Sequence, residues 1–409
     1  MPPMRYNRGT TRGDVFVQML GERYPWRYGL YLMAYYLSTS VYQNFISVYF
    51  ASVGITTMQM AALMAAMPMV SIVTQPMWGA LGDRTGSKRL LLCLLAIGSM
   101  GLILSFRLSN GFYYLLAMLT LFSALFTALQ PLGDSIVLEA LMAGRRPFGP
   151  LRLLGCLIFS LSSLLSGWFL EGRSNFIIYL TSGYLGLVAL SAWALPKTPG
   201  KQRSGGAKGG FFSLLKDKTL RDLLIFTMLL QMTMGYFYSF FSVHFVSAPG
   251  GSSELLGLCY LISALAEVPF LLNADRLFER YGAGKLLSVT ALALSVRWLV
   301  LGLTDNMWAI MTSQLLHGGG FIVMTVTMSK YISLTVPEAL RSRGQMLLAV
   351  LGFGIARVVG SLGGGALAQA LGMQRAFLVP CGVAALALLI FAPRYMGAPP
   401  LNGDGASPQ

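Results

Sequence analysis

Long runs of apolar residues, separated by short polar gaps, fill most of the sequence. A helix needs about 20 apolar residues to cross the hydrocarbon core of a bilayer, and runs of that length recur along the chain. The pattern predicts an all-α membrane protein with twelve transmembrane helices, at 28–50, 59–82, 89–107, 112–138, 148–170, 175–195, 221–246, 253–274, 284–304, 306–333, 344–371 and 374–395.

Composition supports a membrane location. Hydrophobic residues make up 55% of the chain and charged residues 11%, which is too apolar for a soluble globular protein. The net charge of +15 would indicate a nucleic-acid partner if the basic residues shared one soluble face. They fall instead in the gaps between apolar runs, so we expect the lipid bilayer as a partner and no nucleic acid.

The basic residues also predict the orientation of the chain. The gaps after the second, fourth, sixth, eighth and tenth spans hold most of the lysines and arginines, whereas the alternate gaps hold little beyond Arg107, Arg173 and Arg375. Because cytoplasmic loops carry an excess of Lys and Arg, both termini are expected in the cytoplasm. The expected location is the bacterial inner membrane, as a multi-pass protein.

The longest interior polar stretch divides the chain into six spans and six. Its Pro, Gly and Ser content is typical of a flexible linker. A weak repeat relates the halves, because Asp275-Arg276 and Tyr281 to Lys285 occupy in the second half the place of a charged loop in the first. We therefore expect two pseudo-symmetric six-helix bundles around a cavity, with these parts: an N-terminal cytoplasmic tail 1–27, a first bundle 28–195, a linker 196–220, a second bundle 221–396 and a C-terminal cytoplasmic tail 397–409.

A charged turn joins the second and third spans. Glycines there let two helix backbones approach closely, and the acid and the basic residues mark the membrane surface. A generic positively charged cytoplasmic turn is the alternative interpretation. The pattern Gly-x-Leu-x-Asp-Arg-x-Gly-x-Lys-Arg resembles the signature loop of major facilitator superfamily transporters, which implies a conformational-switch role for Gly79, Gly82, Asp83, Arg84, Gly86, Lys88 and Arg89.

Several ionisable side chains lie at membrane depth. Each costs at least about 2.5–3.5 kcal/mol there, so such residues are candidates for function and face a cavity or a partner. Six of them stand out: Asp134, Arg152, Glu267, Arg297, His317 and Arg357.

Asp134 and Arg152 lie on consecutive antiparallel spans, which can bring them together. They would form an ion pair or two arms of a solute site, since a guanidinium suits hydroxyl and carboxylate oxygens. Arg152 as a charge at the cytoplasmic edge is the alternative. Phe159, two turns further, is placed to offer a ring to a sugar or an aromatic solute, although a helix Phe more often serves packing. Tyr35 of the aromatic first span joins the predicted substrate-binding residues.

Glu267, Arg297 and His317 form the second predicted group. A carboxylate, a histidine and an arginine in one bundle are what proton relay requires. A static buried ion pair is the alternative. Tyr236 of the aromatic seventh span and Arg357 of the eleventh complete the predicted substrate-binding set.

The resemblance extends over roughly 28–395 to the proton symporter branches typified by lactose permease and by phenylpropionate permease. Phe148-Gly149-x-x-Arg152-x-x-Gly155-Cys156, with Asp134 eighteen residues before Arg152, resembles the acid–arginine pair of the lactose branch. There are departures. Gly320 stands where that branch has a proton-carrying glutamate, and the seventh span lacks its aspartates. Leu316-His317-Gly318 and Arg297-Trp298 fit the phenylpropionate branch better, which leaves the solute open and favours Glu267 as proton carrier, with Asp134 second.

Together these features predict a secondary transporter that works by alternating access. It would import a small organic solute, such as a sugar, nucleoside or aromatic carboxylate, together with protons. The proton gradient would supply the energy, no cofactor or metal is expected, and the chain would act as a monomer. No nucleophile–base constellation or phosphate loop indicates an enzyme, since Gly318-Gly319-Gly320 lacks the following lysine.

Three other functions stay open. A proton/drug antiporter is one, although several positive charges in the cavity would repel cationic drugs. A transport-dead sensor or scaffold of the same fold is another, although it has no reason to bear mid-span charges. A twelve-helix channel is the third, although channels more often build a pore from several identical chains.

Overall fold

A computed structural model of the chain describes residues 26–143, 149–198 and 211–397. Within these ranges the chain is almost entirely helical. The spanning helices are α1 Trp26–Ser52, α2 Thr57–Arg84, α3 Lys88–Ser105, α4 Phe112–Ala143, α5 Gly149–Leu170, α6 Phe176–Trp193, α7 Lys218–Ser247, α8 and α9 as the two arms of Ser253–Leu303, α10 Met307–Thr335, α11 Arg341–Leu371 and α12 Arg375–Tyr395.

The described residues confirm the twelve predicted spans. Ten helices are long and apolar enough to cross a membrane, and one of them, Ser253–Leu303, is broken in two at Gly282, where φ is 71°. The twelfth is α1, which has 27 residues but falls short in apolarity because tyrosines, serines and threonines fill it. Those side chains are buried inside the protein, where a helix has no need of a lipid-like surface.

The predicted gap between the eighth and ninth spans is wrong. We expected the eighth span to end at residue 274 and the ninth to begin at 284, with a charged loop between them. The chain instead stays helical through Asp275 and Glu279, and only Gly282 interrupts it. A helix can continue into water through charged residues beyond the hydrocarbon region. The end of the apolar run at residue 274 therefore indicates the edge of the membrane and not the end of the helix.

The two halves, α1–α6 and α7–α12, meet along α5 with α8, α2 with α11 and α1 with α7. We call the end where α1 begins and α12 ends the terminal face, and the other end the opposite face. Contacts at the opposite face are close. A side chain on Gly257 of α8 would meet the backbone oxygen of Ser163 of α5 at 2.5 Å, and one on Gly365 of α11 would overlap Ala61 of α2.

The terminal face is different. The described ion pairs there lie within one half or the other. Lys88 binds Asp83 and Glu139 in the N-terminal half, and Lys330 binds Asp275 and Glu279 in the C-terminal half. The close backbone contacts between the halves therefore lie at the opposite face, and no described ion pair joins the halves at the terminal face.

Candidate functional site

A cavity of about 530 Å³ lies between the two halves. Its volume is in the range that takes drug-sized ligands. Both halves contribute to the wall, which is rich in aromatic side chains and amides, among them Tyr35, Tyr36, Tyr42, Gln43, Gln75, Phe126, Gln130, Phe159, Phe237, Tyr238, Tyr260, Glu267, His317, Phe321, Phe353 and Arg357.

Five of the predicted site residues line this cavity: Tyr35, Phe159, Glu267, His317 and Arg357. The Tyr35 hydroxyl donates to Oε1 of Gln130, another wall residue, at 3.3 Å. Tyr35 and Phe159 belong to the N-terminal half and the other three to the C-terminal half, so the two predicted groups face one common space.

The other predicted substrate residues lie elsewhere. Tyr236 is buried in the C-terminal half, where its hydroxyl donates to the Met373 carbonyl at 2.6 Å, and its neighbour Tyr238 takes the position at the wall. Asp134 is half-buried and is not among the lining residues. The side chain of Arg152 lies outside the described residues, so the predicted Asp134–Arg152 pair stays a prediction.

Glu267, His317 and Arg297 form a chain of contacts that runs from the cavity into the C-terminal half. Oε1 of Glu267 lies 3.1 Å from Nε2 of His317, and Nδ1 of His317 lies 2.7 Å from Nη1 of Arg297. Arg297 is fully buried, does not line the cavity, and holds its guanidinium carbon 4.2 Å from the Phe237 ring centre. Its Nη2 donates to Oε1 of Gln314.

The order of these contacts determines the histidine tautomer. A guanidinium has donors and no acceptor, so Nδ1 of His317 must accept the hydrogen bond from Arg297. The ring proton then belongs on Nε2, which donates to the Glu267 carboxylate. A second proton on His317 would displace the Arg297 contact and place two cations side by side.

A run of glycines brings His317 to Glu267. A side chain on Gly318 would overlap the backbone oxygen of Ala266, so only glycine lets α10 lie against the backbone of α8 at this level. A Cβ on Gly320 would lie 2.7 Å from the end of the Leu294 side chain, which would have to shift to admit a larger residue. The helix winds more widely here, in a π-helical turn at Gly318–Ile322, a feature that is frequent at functional sites.

Arg357 stands at the cavity wall just after a second π-helical turn, Ala349–Ile355. Its Nε donates to Oε1 of Gln231 at 3.2 Å. Three wall rings surround the guanidinium carbon, with centres at 4.8 Å for Tyr238, 5.4 Å for Phe353 and 5.9 Å for Phe321. Among the described residues, no carboxylate forms an ion pair with Arg357.

The predicted signature loop lies at the terminal face. The Lys88 side chain is only 3% exposed, and its ammonium lies 2.6 Å from Glu139 and 3.7 Å from Asp83. Nη1 of Arg89 donates to the Leu195 carbonyl at the end of α6. The close backbone approach expected at Gly79 is wrong for this conformation, since an added Cβ would meet nothing within 4 Å, whereas one on Gly82 would meet Leu132 at 2.8 Å.

Two fully buried amides were missed by sequence reasoning. Gln314 binds Arg297 and also accepts from the Ser263 hydroxyl at 3.2 Å, and Gln231 binds Arg357. Both stand in apolar runs, and Gln314 lies three residues before His317, on the same helix face. A search for amides as well as ionisable groups at membrane depth would have found them.

The match to known families agrees with this architecture. A model of the MFS_1 like family matches residues 25–379. The chain belongs to the MFS_1 like family. It is thus a multi-pass transporter of the major facilitator superfamily, and its family is one of transporters and not of enzymes.

Relatives of this MFS_1 like protein include permeases and a probable transporter. The maltose permease of Geobacillus stearothermophilus is 28% identical over 81% of this chain and 85% of its own length. The probable 3-phenylpropionic acid transporter of Escherichia coli K12 is 24% identical over 73% of this chain and 79% of its own. The lactose permease of Klebsiella oxytoca is 22% identical over 83% and 87%.

Solved structures share the fold. The nucleoside transporter NupG is 15% identical with a TM-score of 0.78, and the match covers 90% of this chain and 98% of that one. The human organic anion transporter MFSD10 (TETRAN) is 16% identical with a TM-score of 0.62, over 89% and 98%. At these identities the likeness concerns the fold alone.

Proposed function

We propose that this MFS transporter imports a small organic solute together with protons by alternating access. The observation that carries the proposal is the contact of Glu267 with His317 at the cavity wall, 3.1 Å long. Names of relatives include maltose, lactose, 3-phenylpropionic acid and a nucleoside transporter, so they support an organic solute without selecting one.

Glu267 is the proposed proton carrier. Its side chain is 16% exposed and faces the cavity, so a proton and a solute can reach it from the same space. His317, which accepts at Nδ1 from Arg297 and donates at Nε2, stabilises the charged carboxylate. Loss of a proton from Glu267 therefore strengthens its bond to His317, and uptake of a proton weakens it. That difference links protonation to the packing of α8 against α10.

The conformation is interpreted as open to the cytoplasm. The positively charged gaps lie at the terminal face, and the cavity wall extends toward that face as far as Gln75 and Ala349, whereas the close contacts between the halves lie at the opposite face. The proposal places both termini in the cytoplasm of a bacterial cell and the opposite face outside its inner membrane. A single chain is proposed to suffice, because both walls of the cavity come from one chain, and the proton gradient is the proposed energy source in place of a cofactor.

Solute-triggered proton uptake tests this proposal. Proteoliposomes with an interior pH dye are challenged with a disaccharide, a nucleoside, or an aromatic carboxylate and its amide. We expect interior acidification with one solute class in the wild type and none with Glu267→Gln, although that variant should still exchange labelled solute. Acidification that is undiminished in Glu267→Gln would remove the proposed role of this residue. Alkalinisation of the interior would instead indicate antiport.

A further inference from the structure

Within the described ranges, Arg357 has no acid partner, and it stands in a wall made largely of rings. Its described polar contact is to a neutral amide, Gln231, through Nε at 3.2 Å. Glu267 is the carboxylate among the described wall residues, and its side chain binds His317. A charge at membrane depth without a counter-charge is costly. Ring faces and one amide stabilise this one in part, and no described residue supplies a negative charge to it.

Arg297, the other arginine at membrane depth in this half, differs from Arg357 in burial and in its hydrogen bonds. Arg297 is fully buried, and its two terminal nitrogens bind His317 and Gln314. Arg357 instead lies at the cavity surface and uses its inner nitrogen, Nε, for its partner. No described residue is hydrogen-bonded to its terminal nitrogens, which leaves them for a group that comes from the cavity. A guanidinium edge with two parallel N–H bonds matches a carboxylate.

From this contrast we infer that the solute is an organic anion whose carboxylate binds Arg357. The inference rests on the proposed transport function and specifies its substrate class. Tyr238, Phe353 and Phe321 surround the guanidinium with ring centres within 5.9 Å, so they contact the apolar part of a solute whose carboxylate is bound there. An apolar or aromatic body next to the carboxylate fits this surface better than a ring covered with hydroxyl groups.

The same site is joined to the proton carrier through one ring. Phe321 lies under Arg357 and also stacks on His317, with ring centres 5.7 Å apart and planes 12° apart. A solute that displaces Phe321 therefore also shifts His317, the residue that donates to Glu267.

Matched pairs of solutes test the inference. Binding to the purified full-length protein is measured by thermal shift with 3-phenylpropionate against 3-phenylpropionamide, cyclohexanecarboxylate against its amide, and maltose and adenosine as neutral solutes. We expect carboxylates to bind about tenfold or more tightly than their amides, the effect of a hydrogen-bonded charge. Arg357→Gln should abolish that preference. Arg357→Lys should keep part of it, because an ammonium cannot offer two parallel donors.

Arg375→Gln serves as the matched control, since Arg375 is an exposed arginine at the opposite face, and it should keep the full preference. Equal binding of acid and amide by the wild type would overturn the inference. A preference for carboxylates that survives in Arg357→Gln would also overturn it, and so would the absence of binding by every carboxylate. Failure of the proposed function is distinguishable. Selective carboxylate binding without any proton flux would contradict symport, whereas proton flux triggered only by maltose or adenosine would contradict the anion.

Discussion

The carboxylate of Glu171 binds the first backbone N–H groups of α8. Its Oε2 accepts from the N–H of Ser253 at 2.5 Å and from that of Glu254 at 3.3 Å. Glu171 follows the end of α5, so this contact joins the two halves at the opposite face. A carboxylate at a helix N-terminus satisfies orphan donors and is favoured by the helix dipole. The contact therefore stabilises the conformation that is closed at the opposite face.

We expect Glu171→Gln to shift the population toward a conformation open at the opposite face. A charge at an exposed helix terminus contributes about 0.3–1 kcal/mol, which corresponds to a change of about twofold to fivefold in population. Distances between spin labels at Leu108 and Leu371, one exposed residue of each half, measure the shift. Asp305→Asn removes an exposed carboxylate of the same face and should leave the distances unchanged. An identical shift in that control would refute the role of the Glu171 contact.

The glycine run of α10 offers a sharp test of packing. Gly318→Ala places a methyl group on the backbone oxygen of Ala266, whereas Gly319→Ala meets its nearest neighbours at an ordinary 3.7 Å. Overpacking of this kind costs about 1–3 kcal/mol. We expect a lower melting temperature and weak proton coupling for Gly318→Ala, and near wild-type behaviour for Gly319→Ala. Equal behaviour of the two variants would contradict the described approach of α10 to α8.

Lys88 holds the signature loop to α4. The lysine is buried and its partner Glu139 is 29% exposed, so Lys88→Met leaves a half-buried carboxylate without its cation. We expect a loss of about 1–2 kcal/mol, less than for a fully buried pair because water reaches Glu139. The double variant Lys88→Met with Glu139→Leu should recover part of the loss in a thermal melt. Arg84→Met, at an exposed position of the same loop, is the control.

An anionic solute has an electrical consequence. One proton carried with a monovalent carboxylate moves no net charge, whereas one proton carried with a neutral sugar moves one positive charge. We expect carboxylate uptake into proteoliposomes to follow the pH gradient and to be insensitive to a potassium diffusion potential. A current that accompanies carboxylate transport, measured on a supported membrane, would show that more than one proton is carried or that the solute is not an anion.

Much of the architecture could be predicted because membrane spans leave a simple mark. Runs of about 20 apolar residues predicted the helices to within a few residues, except between α8 and α9, where charged residues extend the helix past the membrane. The high cost of an ionisable side chain at membrane depth pointed to Glu267, His317, Arg297 and Arg357 as site residues, and the structure places them at the cavity wall or in contact with a wall residue.

The finer geometry of the site was beyond these signals. Apolarity does not show which residues of a helix face the cavity. The sequence therefore predicts Tyr236 as a substrate-binding residue, whereas Tyr238 lines the wall. Neutral amides such as Gln231 and Gln314 cost less than charges in an apolar run and did not stand out. The contact of Gly318 with Ala266 depends on the crossing of two helices, which no local pattern encodes.

Concentrative uptake driven by an imposed pH gradient shows whether Glu267 couples the solute to protons. Proteoliposomes that are alkaline inside are given labelled solute, and the final ratio of inner to outer concentration is measured for the wild type and for Glu267→Gln. We expect accumulation well above equality in the wild type and equality in Glu267→Gln, because that variant still moves solute but carries no proton. Accumulation by Glu267→Gln to the wild-type ratio would contradict it.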